Sequence, residues 1–234
     1  MTQEHFDSGK YWIERHEQFD QSHQATGLVD STHLSNRVLY DLRRMALKEA
    51  VGTDDLSGKT VLDAGCGLGD FSRVYRDLNA QLFGCDISPL AVEKCNAAGL
   101  GDYRSGRLAD IPDLFPDQRF DYVHCFDVMY HIVDDSEWYR TIAAFDAVSK
   151  PDTKWLLIEL SRAKGSSPHV KVRGTESYRR EVAKYGRQIT RDRRIHWLLS
   201  VFPRLHSINP RFSYTFEWFA VWGLRARWRG LLCG

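Results

Sequence analysis

Three glycines and a handful of acids and histidines mark where this chain of 234 residues can do chemistry. Residues 59–71 read Lys-Thr-Val-Leu-Asp-Ala-Gly-Cys-Gly-Leu-Gly-Asp-Phe, which sets Gly65, Gly67 and Gly69 at every second position behind a short apolar run. Glycine there permits positive φ and lets the backbone approach a ligand with no side chain between them. Asp86 follows 17 residues beyond Gly69. At that spacing an acid ending a strand can accept both ribose hydroxyls of an adenosine cofactor, although it also sits where a helix dipole alone would favour it. Asp63 precedes the glycines, Asp110 lies farther on, and His131 follows the run Phe120–Phe126. A histidine that titrates near neutrality suits removal of a proton from a hydroxyl.

These residues need a frame. Thr60, Val61 and Leu62 read as a buried parallel strand, and Phe71–Leu78 as the helix after it. Strands are expected at Gln81–Asp86, Tyr103–Ala109, Phe120–Phe126 and Trp155–Leu160, with helices from Ser88 to about Ala98 and from Ser136 to Ser149. Strand and helix alternate as in right-handed βαβ units, so a doubly wound α/β sheet is predicted. Its ligands bind at the carboxyl ends of the strands. Ahead of it, Trp12, His16 and Phe19 are spaced as one helical face, and Leu34, Val38, Leu42, Met45 and Ala46 as another on a helix from about Ser35 to Val51. After Leu160 the alternation stops. Helices are expected around Tyr178–Tyr185 and Asp192–Val201, and a strand pair at Arg204–Ile208 and Tyr214–Trp222.

Residues 59–71 resemble motif I of the class I S-adenosylmethionine-dependent methyltransferases. The NAD-binding pattern separates its second and third glycines by two residues, whereas here Leu68 alone stands between Gly67 and Gly69. The likeness covers roughly residues 55–224 and implies a Rossmann-like, mostly parallel seven-stranded sheet, a helical N-terminal cover over 1–54, and a cap insertion at about 161–200 within a domain of 55–234. It implies S-adenosylmethionine as cofactor, held by Asp63, Gly65, Cys66, Gly67, Gly69, Asp86, Ile87, Asp110, Ile111 and Phe126. Small-molecule members carry an N-terminal Tyr/Phe-Trp-x-x-Arg segment that folds over the cofactor. Tyr11, Trp12 and Arg15 match it, with Arg15 meeting the cofactor's carboxylate, or else they form an amphipathic helix packed on the sheet. His16, His23 and His33 are read as surface residues.

On the acceptor side the resemblance points to Tyr130, His131 and Arg173, with His131 either a general base or a shaper of the pocket. The run Phe120–Ile132 lacks the Asn/Asp-Pro-Pro-Tyr/Phe motif of enzymes that methylate planar amino groups. The basic run Lys171, Arg173, Arg179, Arg180, Lys184, Arg187, Arg191, Arg193 and Arg194 is either a solvated helix face or an anion-binding cap. Net charge is +1, which does not mark a nucleic-acid binder. Five cysteines form no CxxC pair and no ligand spacing, so a reduced, cytoplasmic protein without structural zinc is expected. No signal peptide is visible, and the longest apolar stretch, Trp218–Leu224, is far below the ~20 residues of a membrane helix. The sequence therefore predicts an O-methyltransferase acting on a small molecule, anionic in character, in secondary-metabolite or sugar and glycan biosynthesis. RNA methylation and a non-catalytic cofactor-binding subunit are the alternatives. No metal is expected, and oligomeric state is not legible.

Overall fold

The structure, a computed structural model, describes residues 6–19, 24–27, 33–160, 168–192 and 232–233. Five parallel strands form its centre: β1 (Thr60–Ala64), β2 (Gln81–Asp86), β3 (Asp102–Ser105), β4 (Phe120–Phe126) and β5 (Ser149–Ile158). They lie in the order β3-β2-β1-β4-β5, with Leu62 opposite Phe83 on one side and Val123 on the other. Chain direction across the sheet reverses between β1 and β4, so the strand ends there open a crevice. Helices α1 (Ser8–Phe19) and α2 (His33–Val51) precede the sheet, and α3 (Asp70–Asp77), α4 (Pro89–Ala97), α5 (Ile111–Leu114) and α6 (Asp135–Ala147) connect its strands. The Ser88 side chain caps α4 by accepting from the Ala91 N–H.

Side-chain alternation divides the core. Leu62, Phe83, Val123 and Cys125 face a layer holding Phe115, Trp138, Ile142 and Phe145. Val61, Leu82, Tyr122 and Leu156 face the other layer, with Leu47, Val51, Phe71 and Tyr75 of α2 and α3. Both faces of the central strands are covered, which is why they read as nearly continuous apolar runs. The same two-residue period turns Asp63 and His124 toward the α2–α3 side, where both are 1% exposed. Beneath the glycine loop, Tyr103 Oη donates to Ser72 Oγ (2.6 Å), and Ser72 donates in turn to Asp63. The Tyr103 ring lies across Gly84, its partner on the neighbouring strand, where an added Cβ would stand 2.3 Å from Tyr103 Cε1.

Several expectations need correction. β3 stops at Ser105 rather than Ala109, and Leu108–Asp110 form a 3-10 turn. β5 begins earlier than expected, at Ser149. On α2, Met45 is 39% exposed and Ala46 half-buried; the buried face carries Tyr40, Arg43, Leu47 and Val51. The side chains of Leu34, Val38 and Leu42 lie outside the described residues. His16 is no surface residue: it is 2% exposed.

Beyond β5, α7 (Thr175–Ala183) buries Tyr178 and Val182 in the core that holds Trp138 and Trp155. This part of the expected cap is a layer of the domain itself. β6 (Ile189–Arg191) and β7 (Leu232–Cys233) run antiparallel to one another, and β7 pairs antiparallel with β5 at Trp155. The expected helix over 192–201 and the strand pair over 204–208 and 214–222 lie outside the described residues, apart from Asp192. No described helix is long and apolar enough to cross a membrane.

Candidate functional site

At the carboxyl end of β1 the chain turns sharply over β2. Gly65 and Cys66 both donate their N–H to the Cys85 carbonyl, at 2.8 and 3.0 Å. Gly65 adopts φ +81°, and an added Cβ would lie 2.4 Å from Val128 Cγ2, so the turn needs glycine for both conformation and space. Asp86 ends β2 and fixes this loop: Oδ2 accepts the Gly67 N–H and Oδ1 the Ser88 N–H, each at 2.9 Å. A carboxylate has about four acceptor positions, so two remain for a ligand.

Around this loop opens a cleft of about 920 Å³ including its open mouth. The glycine loop and Asp86 with Ile87 form its floor, Gly106, Arg107 and Leu108 one side, and Phe126, Asp127, Val128 and His131 the other. α1 roofs it with Ser8, Trp12 and His16, and Thr26 sits directly on Gly67, whose added Cβ would be 2.7 Å from Thr26 Cγ2. Arg15 fastens the roof to itself. It donates to the Gln24 carbonyl from Nε (3.0 Å) and Nη2 (2.8 Å), to the Gly27 carbonyl, and to Tyr11 Oη, with its guanidinium over the Trp12 ring.

The β4 side carries buried polar groups. Asp127 sits at φ +59°, with Oδ1 2.6 Å from Arg43 Nη2 and accepting from Tyr130 Oη at 3.2 Å. Burial raises the Asp127 pKa, against the pull of Arg43. His131 has Nδ1 2.8 Å from the His169 carbonyl, its ring edge-on to Trp12 and stacked with His169. A carbonyl only accepts, so Nδ1 carries the proton and Nε2 the lone pair. Burial lowers the His131 pKa to about 4. At the mouth, Arg107 spans both Glu137 carboxylate oxygens at 2.9 and 3.1 Å.

Of the residues expected from sequence, Trp12, Gly65, Cys66, Gly67, Asp86, Ile87, Phe126 and His131 line the cleft. Tyr11 instead stacks on His169, and Tyr130 serves Asp127. Asp63 lies behind the loop, where burial raises its pKa to about 7 against the Ser72 hydrogen bond. Gly69, at φ +73°, precedes α3 and packs by Leu100. Asp110 falls outside the lining because β3 is short, and Ile111 is fully buried in the core. Arg173 is not among the lining residues: it donates to the Ile132 carbonyl, pairs with Asp135 at 2.8 Å and lies over Trp138. Among the described residues of the basic run, Lys171 and Arg173 pair with Asp135, Arg179 with Glu176, Lys184 with Glu181 and Arg187 with Asp146.

Sequence reading missed His16, Thr26, Tyr40, Asp127, Arg107 and Glu137. Only His16 left a signal, its position one turn past Trp12. Cys66, Cys85, Cys95 and Cys125 are free and buried, with Cys66 Sγ 3.8 Å from Cys95 Sγ. Among the described residues, no group of three His, Cys, Asp or Glu is arranged to hold a metal.

A family model described as a methyltransferase domain matches residues 33–210. Ubiquinone biosynthesis O-methyltransferase of Xanthomonas oryzae is 34% identical over 131 residues, covering 53% of this chain and 52% of that protein. Its counterpart in Pseudomonas paraeruginosa is 30% identical over 129 residues, covering 53% and 54%. The chain thus spans about half the length of the curated relatives it matches. Among solved structures, magnesium protoporphyrin IX methyltransferase of Synechocystis with bound S-adenosylmethionine superposes with a TM-score of 0.63. At 18% identity over 81% of this chain and 91% of that one, it shares the fold.

Proposed function

The chain belongs to the methyltransferase-domain family, and from that premise we propose that it moves the methyl group of S-adenosylmethionine to an oxygen of a small-molecule acceptor. The observation that carries this reading is the union of Asp86 and Gly67: the acid fixes the glycine loop, lines the cleft and has acceptor capacity beyond its two described N–H bonds. That capacity fits a ribose diol. Asp86 would hold the hydroxyls, Ile87 and Leu108 would flank the purine, and Trp12, Phe126 and His131 would surround the methyl-bearing end. When bound, the cofactor supplies an activated methyl group on a sulfonium that is already a good leaving group.

The protein's own part is positioning and the proton. Holding acceptor and donor in register is worth several kcal/mol by itself. His131 is tied through Nδ1 and presents Nε2 as a base. With a pKa of about 4 it is a weak one. That suffices for a hydroxyl whose acidity rises steeply as its oxygen gains a carbon substituent, so the proton passes late to Nε2.

Methylation at oxygen is supported by the curated relatives, which are named O-methyltransferases. We infer a secondary metabolite or a saccharide as the acceptor, on the likeness of the short N-terminal roof. The basic run lends no support to an anionic acceptor or to RNA, because its described cations are largely paired within the chain. The buried free thiols suit a reducing compartment, and the proposal places the protein in the cytoplasm.

Calorimetry with S-adenosylhomocysteine and with NAD tests the cofactor half of the reading; binding of NAD alone would overturn it. Incubation of labelled cofactor with fractionated metabolites, followed by mass spectrometry, tests the acceptor half. Label confined to nitrogen or carbon would refute oxygen transfer.

A further inference from the structure

His16 lies on α1 one turn beyond Trp12, 2% exposed and lining the cleft, yet neither ring nitrogen has a hydrogen-bond partner among the described residues. A buried imidazole without partners is destabilising, so a ligand group that hydrogen-bonds to it binds more favourably. Burial disfavours its charged form, with the Asp86 carboxylate opposing. The neutral ring offers one donor and one acceptor.

Its neighbours indicate which part of a ligand it meets. Asp86 exerts the largest charge effect on His16, and both line the same cleft. Gly9, about two turns earlier on α1, would place a Cβ 3.2 Å from Ile87 Cδ1, so the helix rests on the residue next to Asp86. Asp86 has spent two acceptor positions on Gly67 and Ser88, and as a carboxylate it has no hydrogen to donate. A vicinal diol bound by it alone would have its protons accepted and its oxygens left without a donor.

We propose that His16 and Asp86 form a pair that reads the ribose diol of the bound nucleoside. Asp86 accepts the hydroxyl protons and the His16 ring N–H donates to a hydroxyl oxygen. This rests on the cleft being an adenosine-cofactor site, as proposed above. The neutral imidazole supplies the donor that a carboxylate lacks, and adds no positive charge beside a cationic cofactor.

The test uses S-adenosylhomocysteine and its 2′,3′-dideoxy counterpart, titrated calorimetrically into the full chain and its variants. His16→Ala should weaken S-adenosylhomocysteine about tenfold, the scale of one lost hydrogen bond to the ligand, while leaving the dideoxy compound within about twofold. His16→Phe keeps the bulk of the ring and carries the same expectation should the alanine variant fail to fold. His16→Gln, with a donor and an acceptor of its own, should recover part of the loss. Equal losses on both compounds would overturn the proposal and leave His16 a packing residue. Failure of the unaltered chain to bind S-adenosylhomocysteine would bring down the cofactor reading itself, a result distinguishable from equal losses.

Discussion

The Nδ1–H of His131 is donated to the main-chain oxygen of His169 at 2.8 Å, which ties the end of β4 to the segment beyond β5 and orients Nε2. A histidine held in one tautomer by a backbone carbonyl needs no partner carboxylate to present its base.

His131→Gln should reduce kcat by about 10²–10⁴-fold if its proton acceptance is used, with S-adenosylhomocysteine affinity within a few-fold. Because burial lowers the His131 pKa to about 4, the ring is neutral from pH 7 down to about 5. The acid limb of kcat/KM should therefore lie near 4 and be absent near 6.5. A limb at 6.5 that vanishes in His131→Gln would contradict the buried position.

Asp63 gives a stability signature of opposite sign to an ordinary paired acid. Its folded pKa is raised from 3.8 to about 7, so the folded state binds more protons across that window and stability falls as pH rises through it. Asp63→Asn keeps an acceptor for Ser72 and removes the titration. Relative to the variant, the unaltered chain should lose up to about 1.4 kcal/mol per pH unit between 4 and 7 and nothing more above. His124, 3.9 Å from Asp63, has its pKa lowered by burial to about 3 and stays neutral in the folded state between pH 4 and 7, so it does not contribute to the gap. Urea unfolding at four pH values measures the gap, and a constant gap would show Asp63 to be ordinary.

At Gly65 conformation and space can be separated. Gly65→Ala adds a Cβ at φ +81° within 2.4 Å of Val128 Cγ2, which should cost about 2–4 kcal/mol in total. Gly65→Ala with Val128→Ala should recover the steric part and retain a conformational loss of about 1–2 kcal/mol. Full recovery, read by thermal unfolding, would mean that the positive φ carries no strain.

For Arg15 the structure and the family pattern give different expectations. Its described bonds go to Gln24 and Gly27 carbonyls and to Tyr11, so Arg15→Ala should loosen the roof rather than remove a carboxylate contact. Affinities for S-adenosylhomocysteine and for 5′-methylthioadenosine, which lacks the amino-acid end, should fall by the same factor within about twofold. A tenfold larger loss for the first would restore Arg15 to the carboxylate.

Asp86→Asn should weaken S-adenosylhomocysteine roughly 10–100-fold, since one amide oxygen must serve both the Gly67 N–H and the ribose. An unchanged Kd would remove Asp86 from the site.

What the sequence made legible is local. Gly65, Gly67 and Asp86 were readable because strand, turn and helix follow one another within a single βαβ unit, where spacing alone positions them. Asp110 was expected to end a strand, but β3 is four residues long and stops at Ser105, which leaves Asp110 in the 3-10 turn beyond it. Asp63 was expected at the cofactor from its place in a motif; what the motif did not reveal is that the period of the strand buries it under Ser72. Asp127 left no signal for another reason. Its burial depends on Arg43 of α2 reaching the end of β4, a long-range contact that no residue pattern encodes. The acceptor's identity is harder still, since one fold serves many acceptors.

Tyr103 and Gly84 carry a consequence for descent. The ring occupies the space a side chain at Gly84 would fill, and its hydroxyl feeds the Ser72–Asp63 chain. Neither position can drift alone: a larger residue at 84 demands a smaller one at 103, and that exchange removes the donor on Ser72 and uncovers the acid. Among homologues the two sites should co-vary, with Ser72 and Asp63 changing only in lineages that have already lost the tyrosine. A glycine that touches no ligand is thus inherited on behalf of a carboxyl group on another strand.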